Sequence, residues 1–129
     1  MRMLVDTIAY SELARGNDHV RLLVEHAAEI IMPTIVLGEL HAGFALGSQI
    51  PENNRRLGEF LKLPGVRIFP VDHPIAERYG DLIAVLRKNG TPVPTNDIWI
   101  AATALESASR VLTFDSHYDL IPGIMQILT

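Results

Sequence analysis

Short apolar runs bounded by turn residues alternate along the chain with stretches whose apolar positions recur every three or four residues. The first pattern reads as buried strand and the second as amphipathic helix. Met3-Leu4-Val5 is the first run, and it ends in Asp6-Thr7, read as a turn. Asn17 or Asp18 then caps a helix to about Ala28, with Val20, Leu23, Val24 and Ala27 on its apolar side, and Glu29-Ile30-Ile31-Met32 follows as a second strand. Pro33-Thr34 opens a helix carrying Ile35, Val36, Leu37, Leu40 and Phe44, with Glu39 its only acid and Gly43 and Gly47 near its end.

Pro51 suits the first turn of a further helix to about Leu63, broken by Pro64-Gly65, and Val66 to Val71 reads as a strand. Asp72 caps a helix marked by Ile75, Tyr79, Leu82, Ile83 and Leu86, which Gly90 stops after the basic pair Arg87-Lys88. Thr91 to Pro94 must be extended. Thr95 or Asn96 caps an almost uncharged helix from Ile98 to about Ser107 with Asp97 in its first turn. Arg110 to Phe114 is a strand ending at Asp115, and Ile124 to Leu128 a last short one. Strands separated by helices predict an α/β fold with a parallel sheet covered on both faces. In such a sheet ligands bind beyond the carboxyl ends of the strands, where Asp6 and Asp115 both fall.

A length of 129 residues predicts one domain over 1–129, and 48% hydrophobic with 20% charged residues is a globular composition. The absence of cysteine excludes disulfides, thiolate nucleophiles and Cys-based zinc sites, so a metal would bind through oxygen or histidine. No stretch approaches the ~20 apolar residues of a membrane span, which predicts a soluble cytoplasmic protein. A net charge of −4 argues against a broad basic surface. Setting four of the 15 acids aside leaves as many acids as there are Lys and Arg, although any four would satisfy that balance.

The four that matter on chemical grounds are Asp6, Glu39, Asp97 and Asp115. Singly, an Asp at a strand end or helix start is ordinary turn or cap chemistry. Glu39 is less ordinary, because an acid in an apolar helix is rarely buried without a partner. Brought together, four carboxylates raise one another's pKa unless a cation compensates them. Hard oxygen ligands favour Mg²⁺ or Mn²⁺, which would activate water toward a phosphodiester.

Four segments together resemble a known family. They are Leu4-Val5-Asp6-Thr7, Val36-Leu37-Gly38-Glu39-Leu40, Pro94-Thr95-Asn96-Asp97-Ile98-Trp99-Ile100-Ala101-Ala102, and Leu112-Thr113-Phe114-Asp115 followed by Ile121-Pro122-Gly123. Their order and spacing are similar to those of PIN-domain ribonucleases, especially VapC-type toxins of prokaryotic toxin–antitoxin pairs. The resemblance implies a PIN-like three-layer fold with a mostly parallel central sheet and helices on its faces. It implies Mg²⁺- or Mn²⁺-dependent cleavage of RNA, with Asp6, Glu39, Asp97 and Asp115 at the catalytic and metal positions. A homodimer and a small VapB-like antitoxin that covers the site are implied as well. The chain departs from the pattern at Ile8, where many relatives carry Asn or Ser, which shifts support toward Thr7. Thr113 and Asn96 are further supporting candidates.

Other residues read more plainly. His117 suits a surface loop better than a site, and His41, two residues past Glu39, points elsewhere on its helix. Arg55, Arg56, Arg87 and Lys88 suit solvated helix faces, and Trp99 and Tyr79 suit packing. The main alternative to a ribonuclease is a catalytically silent PIN-like module that binds RNA or a partner. A haloacid-dehalogenase-like phosphotransfer enzyme would need a second acid at the position of Ile8. Transfer, ribosomal and messenger RNA are all compatible with such a site.

Overall fold

The computed structural model describes residues 1–128; Thr129, the last residue of the predicted domain, lies outside them. Five strands form one sheet: β1 (Arg2–Val5), β2 (Glu29–Pro33), β3 (Val66–Phe69), β4 (Arg110–Thr113) and β5 (Gln126–Leu128), in the order β3-β2-β1-β4-β5. Every neighbouring pair is parallel, in registers such as Leu4 with Ile31 and Leu4 with Val111. The predicted parallel sheet is therefore present. Its three central strands are buried at consecutive positions: Met3, Leu4 and Val5; Ile30, Ile31 and Met32; Val111, Leu112 and Thr113. Both faces of these strands are covered, which is why their sequences read as continuous apolar runs rather than alternating ones.

The helices are α1 (Thr7–Ala14), α2 (Asp18–His26), α3 (Thr34–Leu46), α4 (Ile50–Leu61), α5 (His73–Lys88) and α6 (Thr95–Ser107). Asn17 caps α2 by accepting from the Val20 amide, and Asp72 caps α5 by accepting from the Ile75 amide, as the sequence predicts. Pro51 stands in the first turn of α4. The deepest helix is α6, in which Ile98, Ile100, Ala101, Ala102 and Ala104 are buried. Small side chains let it lie close to the sheet and to α5, where the rings of Tyr79 and Trp99 stack with centroids 3.8 Å apart.

Two local readings are corrected, and one segment left unread gains a structure. The turn expected after β1 is a helix, α1, and Asp6 caps it by accepting from the Ala9 amide at 2.9 Å. Neither Thr95 nor Asn96 caps α6; Pro94 occupies that position with an extended backbone, and the Asn96 side chain instead reaches α3. After β4 the chain forms a 3₁₀ turn, Ser116–Leu120, before Gly123 returns it toward β5 with φ +80°. A side chain at Gly123 would adopt a disfavoured backbone and its Cβ would meet Leu105 Cδ2 at 3.4 Å.

The strand order creates the place where a site can form. From β1 the chain builds outward to β2 and β3, then returns through α6 to lay β4 on the other side of β1. The direction of strand addition reverses between β1 and β4, with α1 following β1 and the 3₁₀ turn following β4. That reversal opens a crevice beyond the carboxyl ends of the two strands. The Asp6 amide donates to the Leu112 carbonyl at 3.3 Å, tying the end of β1 to β4 at the rim of this crevice.

Candidate active site

Each acid reaches the crevice by a different local device. Asp6 is the residue on which β1 stops and α1 starts, so its carboxylate is 6% exposed and held by the cap bond to Ala9. Asp115 follows β4 and caps the 3₁₀ turn, accepting from the His117 amide at 2.8 Å, while its own amide donates to Thr113 Oγ1 at 2.9 Å. Asp97 lies in the first turn of α6, where the helix dipole favours a negative charge. Glu39 stands in the middle of α3 and is held at both oxygens. Thr7 Oγ1 donates to its Oε1 at 2.7 Å, and Asn96 Nδ2 donates to its Oε2 at 3.3 Å.

All four acids line one cleft of about 440 Å³, together with His117 and Tyr118. Thr7 and Asn96, two of the predicted supporting residues, both act on Glu39. Thr113, the third, hydrogen-bonds the Asp115 amide and lies beside Asp6, whose ionised form its hydroxyl favours. Ile8 is 54% exposed at the cleft wall and brings no polar group to it.

The electrostatics follow from burial and like charge. Burial pushes the Asp6 carboxyl up to about 6; the bonds from Thr113 and Ala9 oppose this, and the neighbouring Asp97 and Asp115 add to it. Asp97 is raised for the same leading reason, burial, with Asp115 and Glu39 adding to it and a hydrogen bond from His117 opposing it. Among the described residues no Lys or Arg pairs with any of the four acids; the cation that approaches them is the His117 imidazole when protonated. Its Nδ1 lies 3.0 Å from Asp97 Oδ2 and 3.0 Å from Asp115 Oδ2, and the hydrogen bond to Asp97 raises its pKa.

His117 therefore belongs to this cleft, against its reading as a free loop histidine. Asp97, Asp115 and His117 each offer one ligand atom within 4.8 Å of the others, a spacing a metal ion could bridge; Asp6 and Glu39 stand around that group. The signal for His117 was present in the spacing Asp-x-His after a strand. An Asp that accepts from the amide two residues on folds that residue back over itself. The other histidine behaves as read: His41 is exposed and packs edge-to-face on Phe44.

A second cleft adjoins the first and shares Thr7 and Glu39 with it; Arg15 and Arg56 line its far side. Arg56 is exposed on α4 and pairs with Glu52, as expected of a solvated face, and also lines this second cleft. Arg55 is paired with Glu52 and Glu59 on the surface of α4, as expected.

The chain as a whole is similar to proteins of one family. The model of the PIN domain matches residues 3–124. The chain is 32% identical over 90 residues to Ribonuclease VapC4 of Mycobacterium tuberculosis, a match covering 70% of this chain and 69% of that protein. It is 30% identical over 125 residues to Toxin FitB of Neisseria gonorrhoeae, covering 88% of each. Its backbone superimposes on the crystal structure of VapBC2 from Rickettsia felis bound to a DNA fragment from their promoter, with a TM-score of 0.87 and 22% identity over 100% of this chain and 99% of that one.

Proposed function

The chain belongs to the PIN-domain family, and from that membership we propose that it is a VapC-type endoribonuclease, the toxin of a toxin–antitoxin pair, dependent on Mg²⁺ or Mn²⁺. The observation that carries the reading is the convergence of Asp6, Glu39, Asp97 and Asp115 on one cleft without a Lys or Arg partner. Relatives named as ribonucleases and as a toxin support it. All four acids are present, which favours catalysis over a silent binding module.

The donor set fits a divalent cation. Carboxylate oxygens and one imidazole suit Mg²⁺ or Mn²⁺, and the raised pKa of Asp6 is what a charge-compensating ion would relieve. Asp97 and Asp115 would hold it, with His117, Asp6 and Glu39 around them. When bound, such an ion lowers the pKa of a water and stabilises the charge developing on a phosphodiester. The chain's own residues do the rest. Thr7 and Asn96 fix the Glu39 carboxylate so that it faces the cleft. His117 orients Asp97 and Asp115 and can carry a proton at Nδ1. Arg15 and Arg56 would meet the phosphates of an RNA strand running through the adjoining cleft.

The same reading gives the chain one PIN-like domain, a homodimer, and a small antitoxin that closes the cleft; a toxin–antitoxin complex from Klebsiella pneumoniae is among the structures that share its fold. It acts in the cytoplasm, where its RNA substrate is. No helix among the described residues is long and apolar enough to cross a membrane.

The test is cleavage of a structured RNA pool by the purified protein with MgCl₂ or MnCl₂, and with EDTA. Cleavage that EDTA stops and that Asp6→Asn and Asp97→Asn both lose is expected. Unchanged cleavage by both folded variants would reject the site. No cleavage with any divalent metal would favour the silent module. Mapping new RNA 5′ ends after brief induction would name the substrate.

A further inference from the structure

Tyr118 follows His117 in the 3₁₀ turn, and its side chain is 1% exposed. Its hydroxyl is buried and has no hydrogen-bond partner among the described residues. An orphaned buried hydroxyl is costly, so one in a native fold calls for an explanation. The packing of the ring does not provide it, because a phenyl group would fill the same space.

The direction of the side chain does. Tyr118 lines the acid cleft with Asp6, Glu39, Asp97 and Asp115. A phenol is protonated at neutral pH and serves there as a donor. Four carboxylates line the same cleft, yet among the described residues none lies within hydrogen-bond distance of the hydroxyl. A small acceptor between hydroxyl and carboxylates satisfies both sides, and the cations that suit this cleft characteristically keep several waters.

We propose that Tyr118 is a positioning residue: its hydroxyl donates to a water held in the acid cleft, and through that water it helps the carboxylates retain a divalent cation. This rests on the cation-site reading above. Partners of this kind, one step removed from the ion, change metal affinity when lost.

Tyr118→Phe removes one atom and keeps the ring. Isothermal titration of the purified full chain with MnCl₂, without RNA, is expected to show Mn²⁺ affinity falling about tenfold or more. The metal-free variant should melt no lower than wild type, because the orphaned hydroxyl is gone, and its melting temperature should rise less when Mn²⁺ is added. Equal Mn²⁺ affinity in wild type and variant would overturn the proposal and leave the cation site standing. Equal affinity with a raised KM for RNA would overturn it too, by placing the hydroxyl on the substrate. A metal-free variant several degrees less stable would overturn it by showing a purely structural bond. Wild type that binds no Mn²⁺ at all would overturn the cation reading and this proposal with it.

Discussion

The surface of α4 and the carboxyl edge of the sheet both concentrate acids, and the chain treats them in opposite ways. On α4, Glu52 pairs with Arg55 and Arg56, and Arg55 also reaches Glu59. The hydrogen bond from Arg55 leads in holding the Glu52 carboxyl down at about 2. At the sheet edge Asp6 is buried beside Asp97 and Asp115, and its carboxyl is pushed up to about 6. The first group is neutralised within its own helix by residues three and four apart. The second is left negative, with one histidine against it. Charge that a fold gathers and does not neutralise destabilises it, and here that charge sits where a cation or a substrate can respond to it.

The largest effect should come from neutralising the edge. Asp97→Asn and Asp6→Asn should abolish metal-dependent RNA cleavage with the far-UV circular dichroism unchanged; residual cleavage near wild type would place the chemistry elsewhere.

The next effect is on stability, and its sign follows from the pKa. Between the ordinary aspartate value and about 6, folded Asp6 holds a proton that the unfolded chain has lost. Stability therefore falls as pH rises through that window. Asp6→Asn keeps a capping oxygen and removes the titration, so it should stabilise the metal-free protein by roughly 3 kcal/mol at pH 7, with the gain vanishing below about pH 4. Urea unfolding at the two pH values measures this. A gain of equal size at both would mean that the charge is not its source.

His117→Ala tests the one cation that approaches that edge among the described residues. In the metal-free protein the imidazole hydrogen bond opposes the rise in the Asp97 pKa, so its loss should raise that pKa further, read by carboxyl NMR titration without metal. The drop in cleavage rate should be smaller than for Asp97→Asn. An unmoved Asp97 titration would show that His117 does not act on Asp97.

The smallest effect belongs to α4. Glu59→Gln removes one exposed partner of Arg55 and should shift the melting temperature by less than about 2 °C with cleavage unchanged. A large loss of activity there would erase the contrast between the two regions.

Much of this was legible because it is local. Asn17 and Asp72 were readable as caps since the amide each one binds lies three residues on. The apolar runs at Met3, Ile30 and Val111 were readable as strands since burial on both faces leaves no polar alternation. Helix α1 was not. Ile8, Ala9, Tyr10 and Leu13 make no clean helical stripe, and the segment is held by the Asp6 cap and by packing against α2 and α3. The 3₁₀ turn after Asp115 is illegible for a similar reason: one side-chain bond sets it, and it has no periodicity. From the sequence alone His117 therefore reads as a loop residue. Tyr118 carried no signal of its own, because its role depends on what lies opposite.

The sequence by itself determined which carboxylates exist, that Asp6 and Asp115 end strands, that Asp97 opens a helix, and that no thiol chemistry is available. Those properties depend on neighbours a few residues away. Only the tertiary structure decided that Thr7 would hold Glu39 across 32 positions and Asn96 would hold it across 57. It also turned His117 onto two acids and left the buried Tyr118 hydroxyl without a bond in the wall of the acid cleft. The physical reason is strand order. The chain does not encode locally that β4 will lie beside β1, and that adjacency is what brings the acids to one crevice.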